Sequence, residues 1–598
     1  MNRTHVRSAL VALLVAVLFA APSLLGGPQV LESSPASRAL RALVDETWEH
    51  QLRASPLFAT YTGDHRFDDR LGEVSPEALR RRNEVERGFL KRAGAIDRGA
   101  LSNAERLDLE ILERGLRDSI GEWDHEAHLT PMTNREGFHI TVAPLADEMP
   151  LRTVPEYENY LKRLRDLPRY FGENIALLRE SIRRGRTLPQ VVLKGFEETI
   201  RRHVVDDPIK SIFFPPFEKL PASIPTTDRE RLTIAGREAV LKAAVPAYRS
   251  FLEFFEREYL PACRETIAAR DLPGGRAFYE HRVRLFTSLD ATPEEVHAVG
   301  LKEVARIRGA MEDVVRSVKF EGSFAQFLDH LRSDPRFKPR TGDELLKEAA
   351  LILKRMDGEL PRLFKKLPRT PYGLKPVPDY IAPKTTAAYY SQPAGDGSRA
   401  GMYFLNLHNL ESRPLYVLEA LSLHEAVPGH HLQIALAQEI EGLAPFRRFT
   451  EFTAFVEGWA LYAERLGLEV GFYKDPYQNF GRLTYEMWRA CRLVVDTGIH
   501  VLGWSRRQAI DYLSQNTALS LHECTTEVDR YIAWPGQALG YKMGELAIRR
   551  LREKAEATLG ARFDVREFHD ILLRNGAIPL GALEREVESW LEEAKRRG

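Results

Sequence analysis

Apolar residues recur at three- and four-residue intervals through most of this chain, and that period constrains its fold more than any other feature. The stretches 156–185, 293–318 and 342–364 each keep it for several turns. Such a pattern lines up one apolar face along an α-helix, and the charges between read as solvated faces. The 293–318 stretch also opens as a helix should. Thr292 can cap it, Pro293 suits the first turn, and Glu294 and Glu295 favour the helix dipole. The expected fold class is therefore mainly α. The Pro-rich stretches 213–225 and 365–383 read as loops of one large helical body, because neither is low-complexity. No repeat of solenoid period is visible. The expected organisation is a single helical domain over residues 28–598, with its chemistry concentrated at about 380–545.

One region departs from the helical period. TTAAYYSQP and GMYFLNL are rich in Tyr, Phe and Thr, with AGDGSRA between them. They predict a short β-hairpin or ribbon. An edge strand there would be a natural rail for an extended peptide.

Lys+Arg and Asp+Glu balance at 85 each, which argues against a nucleic-acid partner. Arg3 and Arg7 precede an apolar run from Ala9 to Ala21, followed by Pro22. This layout predicts a secretory signal over residues 1–27, and so a periplasmic or extracellular protein. The alternative is an uncleaved anchor helix. No cysteine follows the run, so a lipid anchor there is not expected, and no later segment suggests membrane insertion. Cys263, Cys491 and Cys524 lie far apart without a CxxC, which excludes a cysteine-ligated zinc site and leaves one disulfide open.

The chemistry concentrates in SLHEAVPGHHLQ, from Ser422 to Gln433. It begins like HExxH, in which two histidines four residues apart share a zinc and the glutamate serves as general base. Here Pro428 occupies the second histidine's place. On a straight helix His424 and His430 would sit about 240° apart, and His424 and His431 about 10.5 Å apart along the axis. Neither pair could share an ion. Pro428 and Gly429 would cost a continuous helix roughly 3 and 1 kcal/mol. A π-type bulge absorbing two residues would bring His430 to the ligand position. The expected ligands are therefore His424 and His430, with His431 as the alternative. The third is expected from EFTAFVEGWALYAERLG: Glu457 as ligand, Glu464 as partner of a ligand histidine. Both are carboxylates on a largely apolar helix, and Gly458 lets another group approach closely. Glu425 would activate water as general base. His500, Tyr531 and Tyr541 are candidate oxyanion donors, Arg530 and Gln537 candidate substrate contacts, and Asp496 a further candidate near the ion.

On these residues the chain resembles the bacterial family called domain of unknown function 885. HEAVPGHHLQ and EGWALYAE carry the likeness, with DTGIH from Asp496, RYIAWPGQALGYKMG from Arg530 and FHDILLRNGAIPLGALE near the C-terminus. That family is akin to helical zinc peptidases such as angiotensin-converting enzyme and the thimet-type oligopeptidases. The resemblance implies a helical, two-lobed body around a deep cleft and one zinc ion per chain. It places His424, His430 and Glu457 as ligands and Glu425 as catalytic. The expected activity is hydrolysis of amide bonds in short peptides. The alternatives are hydrolysis of non-peptide amides or amino-acid conjugates, and a non-catalytic metal- or peptide-binding protein.

Overall fold

The computed structural model describes residues 34–596, so the expected signal segment lies outside the described residues. The described chain is helical almost throughout, with one three-stranded sheet. The three periodic stretches form helices Val154–Arg183, Pro293–Ser317 and Gly342–Leu363. The second opens on the expected cap, with Thr292 and Glu295 forming a reciprocal capping box. One apolar cluster runs from Leu71 to Leu591. Cys263, Cys491 and Cys524 are buried and unpaired. No described helix is long and apolar enough to cross a membrane.

Strands β1 (Tyr372–Pro376), β2 (Ala388–Ser391) and β3 (Gly401–Leu405) lie in the order β1-β3-β2. β2 and β3 form the expected antiparallel hairpin, with Tyr390 opposite Tyr403. β1 corrects the reading of 365–383 as loop only. It pairs parallel to β3, with Pro376 at its end, and it occupies a sheet edge where a proline's missing N–H is tolerated. β2 forms the other edge.

Helix Leu418–Glu425 packs against β2, and two further helices lie behind it. Leu418–Glu425 packs on Thr453–Leu466, and the latter packs along Gly540–Leu559. That last contact is backbone against backbone. A Cβ on Gly458 would sit 2.5 Å from Gly544 Cα, and one on Gly544 would sit 1.7 Å from the Ala454 carbonyl oxygen. The close approach expected at Gly458 is thus to a neighbouring helix. Pro476–Thr497 closes the floor behind them, packed on Pro293–Ser317.

Candidate metal centre

No bulged helix runs through SLHEAVPGHHLQ. One helix ends at Glu425 and a second begins at His430. Ala426 (ψ −101°) and Gly429 (ψ −127°) turn the chain between them, and the Val427–Pro428 peptide is cis. The helix-interior cost of Pro428 and Gly429 is therefore not incurred, because neither residue is helical. Glycine is needed at 429: a Cβ there would lie 1.9 Å from the His424 carbonyl oxygen. The turn is tied down by His431 N–H donating to the Ala426 carbonyl (3.0 Å) and by Trp459 Nε1–H donating to the Pro428 carbonyl (2.9 Å). Trp459 is two residues from Glu457, so one helix both pins the turn and presents the third polar group.

This break brings His424, His430 and Glu457 together. One ligand atom from each lies within 4.8 Å of the others. Glu457 Oε2 is 3.4 Å from His424 Nε2 and 3.4 Å from His430 Nε2. The two imidazole rings stand nearly perpendicular, 4.7 Å apart. Tetrahedral zinc with bonds of about 2.0–2.2 Å would set its ligand atoms roughly 3.4 Å apart. Glu457 Oε2 is also buried without a hydrogen-bond partner, a position that suits a cation. The residues present therefore fit a zinc ion.

The surrounding charges favour that use. His424 Nδ1 meets Glu464 Oε1 at 2.9 Å, and Arg489 reaches the same oxygen at 3.3 Å. Burial pulls His424 down, but Glu457 and Glu464 outweigh it and hold the imidazole at about 9. Burial pushes Glu457 up, and the two histidines outweigh that, so its carboxyl lies well below the usual range. Burial raises the Glu425 carboxyl, against the pull of His424 and His430.

His431 is turned to another task. Its Nδ1 accepts from the Tyr390 hydroxyl (2.8 Å) and its Nε2–H donates to the Thr370 carbonyl (3.1 Å). Both nitrogens are spent fastening the sheet to the second histidine helix, and burial lowers the ring to about 4.

A pocket of about 230 Å³ opens onto the three groups, lined also by Glu425, β2, Arg530 and Tyr541. Tyr541 stacks 6.4 Å from the His424 ring, and Arg530 Nη2–H donates to its hydroxyl at 3.1 Å. Gln537 does not line the pocket; its side-chain oxygen accepts from Arg530. The structure sets three other candidates apart. His500 is fully buried: its Nδ1 accepts from Ala269 N–H and its Nε2–H donates to the Tyr531 carbonyl, each at 2.9 Å. The Tyr531 hydroxyl accepts from Trp488 Nε1 and Arg492 Nε behind the pocket wall. Asp496 accepts from Tyr279 and from Gly536 N–H, clamping two segments away from the histidines. All three are polar groups on apolar helices, and burial with a complete set of partners accounts for them without chemistry.

Sequence reading passed over Tyr390, Arg135, Arg489 and Arg492, all on the pocket wall. Arg489 and Arg492 carried the same signal as Glu457, a charge on an otherwise apolar helix (YEMWRACRLVV). Arg135 sits in a loop and carried none.

The family model described as "Bacterial protein of unknown function (DUF885)" matches residues 56–587, and the chain belongs to that family. Among solved structures, the chain is similar to a "putative lipoprotein" from Colwellia psychrerythraea, with 29% identity and a TM-score of 0.87 over 94% of this chain and 100% of the other. It shares its fold with a "putative lipoprotein of unknown function" from Shewanella oneidensis, at 17% identity and a TM-score of 0.62 over 92% and 99%. Among curated proteins, none matches.

Proposed function

We propose that this member of the family is an exported zinc-dependent peptidase that hydrolyses amide bonds of short peptides. The observation that carries the reading is the convergence of His424, His430 and Glu457 beside the buried carboxylate of Glu425 in one pocket. His424, His430 and Glu457 would hold the ion, and its chemistry would be to acidify water and polarise an amide carbonyl. Glu425 would take the proton from the attacking water and return it to the leaving amine. Burial favours the first half of that task, because it raises the carboxyl's affinity for the proton. The Tyr541 hydroxyl, held by Arg530, would donate to the developing oxyanion. Glu464 would fix the orientation of His424.

The two-lobed shape around a cleft belongs to the same proposal. Arg135, from the first third of the chain, meets residues 386–541 across the pocket, as a cleft between two halves would require. Export is supported by the basic-then-apolar start of the sequence and by similarity to a protein described as a "putative lipoprotein".

Elemental analysis together with hydrolysis of a short-peptide panel tests the reading. About one zinc per chain, and peptide cleavage that Glu425→Gln abolishes without loss of zinc, is the expected result. Protein that stays free of metal when offered zinc, or cleavage that survives Glu425→Gln, would overturn it.

A further inference from the structure

Arg135, Arg492 and Arg530 surround a single carboxylate, Glu527. Arg492 Nη2 lies 2.9 Å from Glu527 Oε2, Arg530 Nη1 lies 3.6 Å from the same oxygen, and Arg135 Nη1 lies 3.6 Å from Oε1. Burial pushes the Glu527 carboxyl up, but the three guanidinium groups outweigh it and hold it at about 2. One negative charge cannot balance three positive ones. All three arginines line the pocket that holds the histidines. Arg492 is 1% exposed, and its Nη1 has no hydrogen-bond partner; Arg135 Nη1 is buried and equally unpartnered. A buried arginine with an idle N–H is costly unless a second anion completes its shell. Paired N–H donors in a fixed fork match a carboxylate.

The cluster is also close to the candidate metal centre. Arg492 Cζ lies 4.2 Å from the Tyr541 ring centre, and that ring lies 6.4 Å from the His424 ring. Arg492 is therefore at most about 10.6 Å from the His424 ring centre. An extended peptide advances about 3.3–3.6 Å per residue. Three residues beyond the scissile bond would use that whole span before any contact with ion or arginine, so one or two fit. Direction follows from the sheet. Arg135 Nη2 donates to Thr386 Oγ1 at 3.4 Å, just before the edge strand β2. A peptide pairing with the free edge of β2 and ending at this cluster runs antiparallel to it.

We infer that Arg135, Arg492 and Arg530 form a subsite for the free C-terminal carboxylate of a peptide cleaved one or two residues from that end. The inference rests on the peptidase reading for the cleavage but not for the binding. Calorimetry on the full-length Glu425→Gln protein with N-acetyl-trialanine, its C-terminal amide, and the amide of N-acetyl-Ala-Ala-Glu separates the two. The free acid is expected to bind about tenfold to a hundredfold more tightly than its amide, and Arg135→Gln should erase most of that preference. Arg135 is the chosen substitution because Arg492 and Arg530 still accompany Glu527 without it. Equal affinity for acid and amide, no measurable binding of the acid, or a preference that Arg135→Gln leaves intact would overturn the subsite. Binding of the glutamate-bearing amide as tightly as the free acid would overturn its assignment to the chain terminus. Selective binding of the acid with no hydrolysis by the wild type would keep the subsite and remove the peptidase. Equal hydrolysis of acid and amide would do the reverse.

Discussion

Glu464 Oε1 lies 2.9 Å from His424 Nδ1, one face of the imidazole away from Glu457 at its Nε2. Glu457 and Glu464 are seven residues apart on one helix, about two turns. One helix therefore supplies both the carboxylate that shares the candidate ion site and the one that sets the histidine's tautomer. Glu464→Gln keeps an acceptor but removes the charge. Zinc affinity, read by competition with a chromophoric chelator, should fall about tenfold to a hundredfold. Unchanged affinity would show that Glu464 serves only Arg489.

His430 and His431 are adjacent, yet their substitutions should part cleanly. His430→Ala should lose the ion, with little loss of stability relative to the metal-free wild type. His431→Ala should keep the ion but lose about 1–3 kcal/mol, because the Tyr390 hydroxyl and the Thr370 carbonyl lose their partner. Elemental analysis and urea unfolding on the same two preparations decide it. The opposite pairing of results would reassign the ligand.

Gly429→Ala forces a methyl group into the His424 carbonyl, a backbone atom that has nowhere to go. It should cost about 3 kcal/mol or more and lower zinc content, since the turn and the ligand geometry are one feature. Gly172→Ala, an exposed helix site with open space around it, should instead gain up to about 1 kcal/mol. A tolerated Gly429→Ala would mean that the turn differs from the one described.

Acid should unfold this protein early. Burial lowers His139, His500 and His569 to about 3, and His128 and His203 to about 4. Each is neutral when folded and takes a proton when unfolded, so the unfolded state binds more protons between the folded values and about 6.5. Stability therefore rises with pH across roughly pH 4–6.5 and falls as pH drops through it. Asp496 and Glu148, which burial raises to about 7, work the other way over the same window, as do the raised carboxyls of Glu425, Glu451 and Glu523, so the climb should be shallower than the five rings alone would give. Urea midpoints from pH 4 to pH 7 should climb; a flat series would contradict the burial of these rings.

The helical class, the capped helix at Thr292, the hairpin beside the site and the grouping of His424, His430 and Glu457 were all legible in the sequence. Each rests on local chemistry: a 3.6-residue period, a cap, β-rich residues, or polar groups where apolar ones belong. β1 was not legible, because its pairing with β3 is non-local and it lies in a stretch, 365–383, rich in the proline that marks loops. The same holds for the roles of polar residues on apolar helices. Glu457, Asp496, Arg492 and His500 give one signal in the sequence, a polar group that burial must pay for. Packing alone decides which partner satisfies each. His500 and Asp496 meet backbone groups and a tyrosine, whereas Glu457 Oε2 lies between two histidines, Arg492 Nη1 has no hydrogen-bond partner, and both residues line the pocket. Sequence determined only that SLHEAVPGHHLQ could not bring two histidines together on one straight helix, and it pointed to a bulge. Only the tertiary structure decided that it breaks into two, because Trp459 against Pro428 is a contact between segments that no local rule contains.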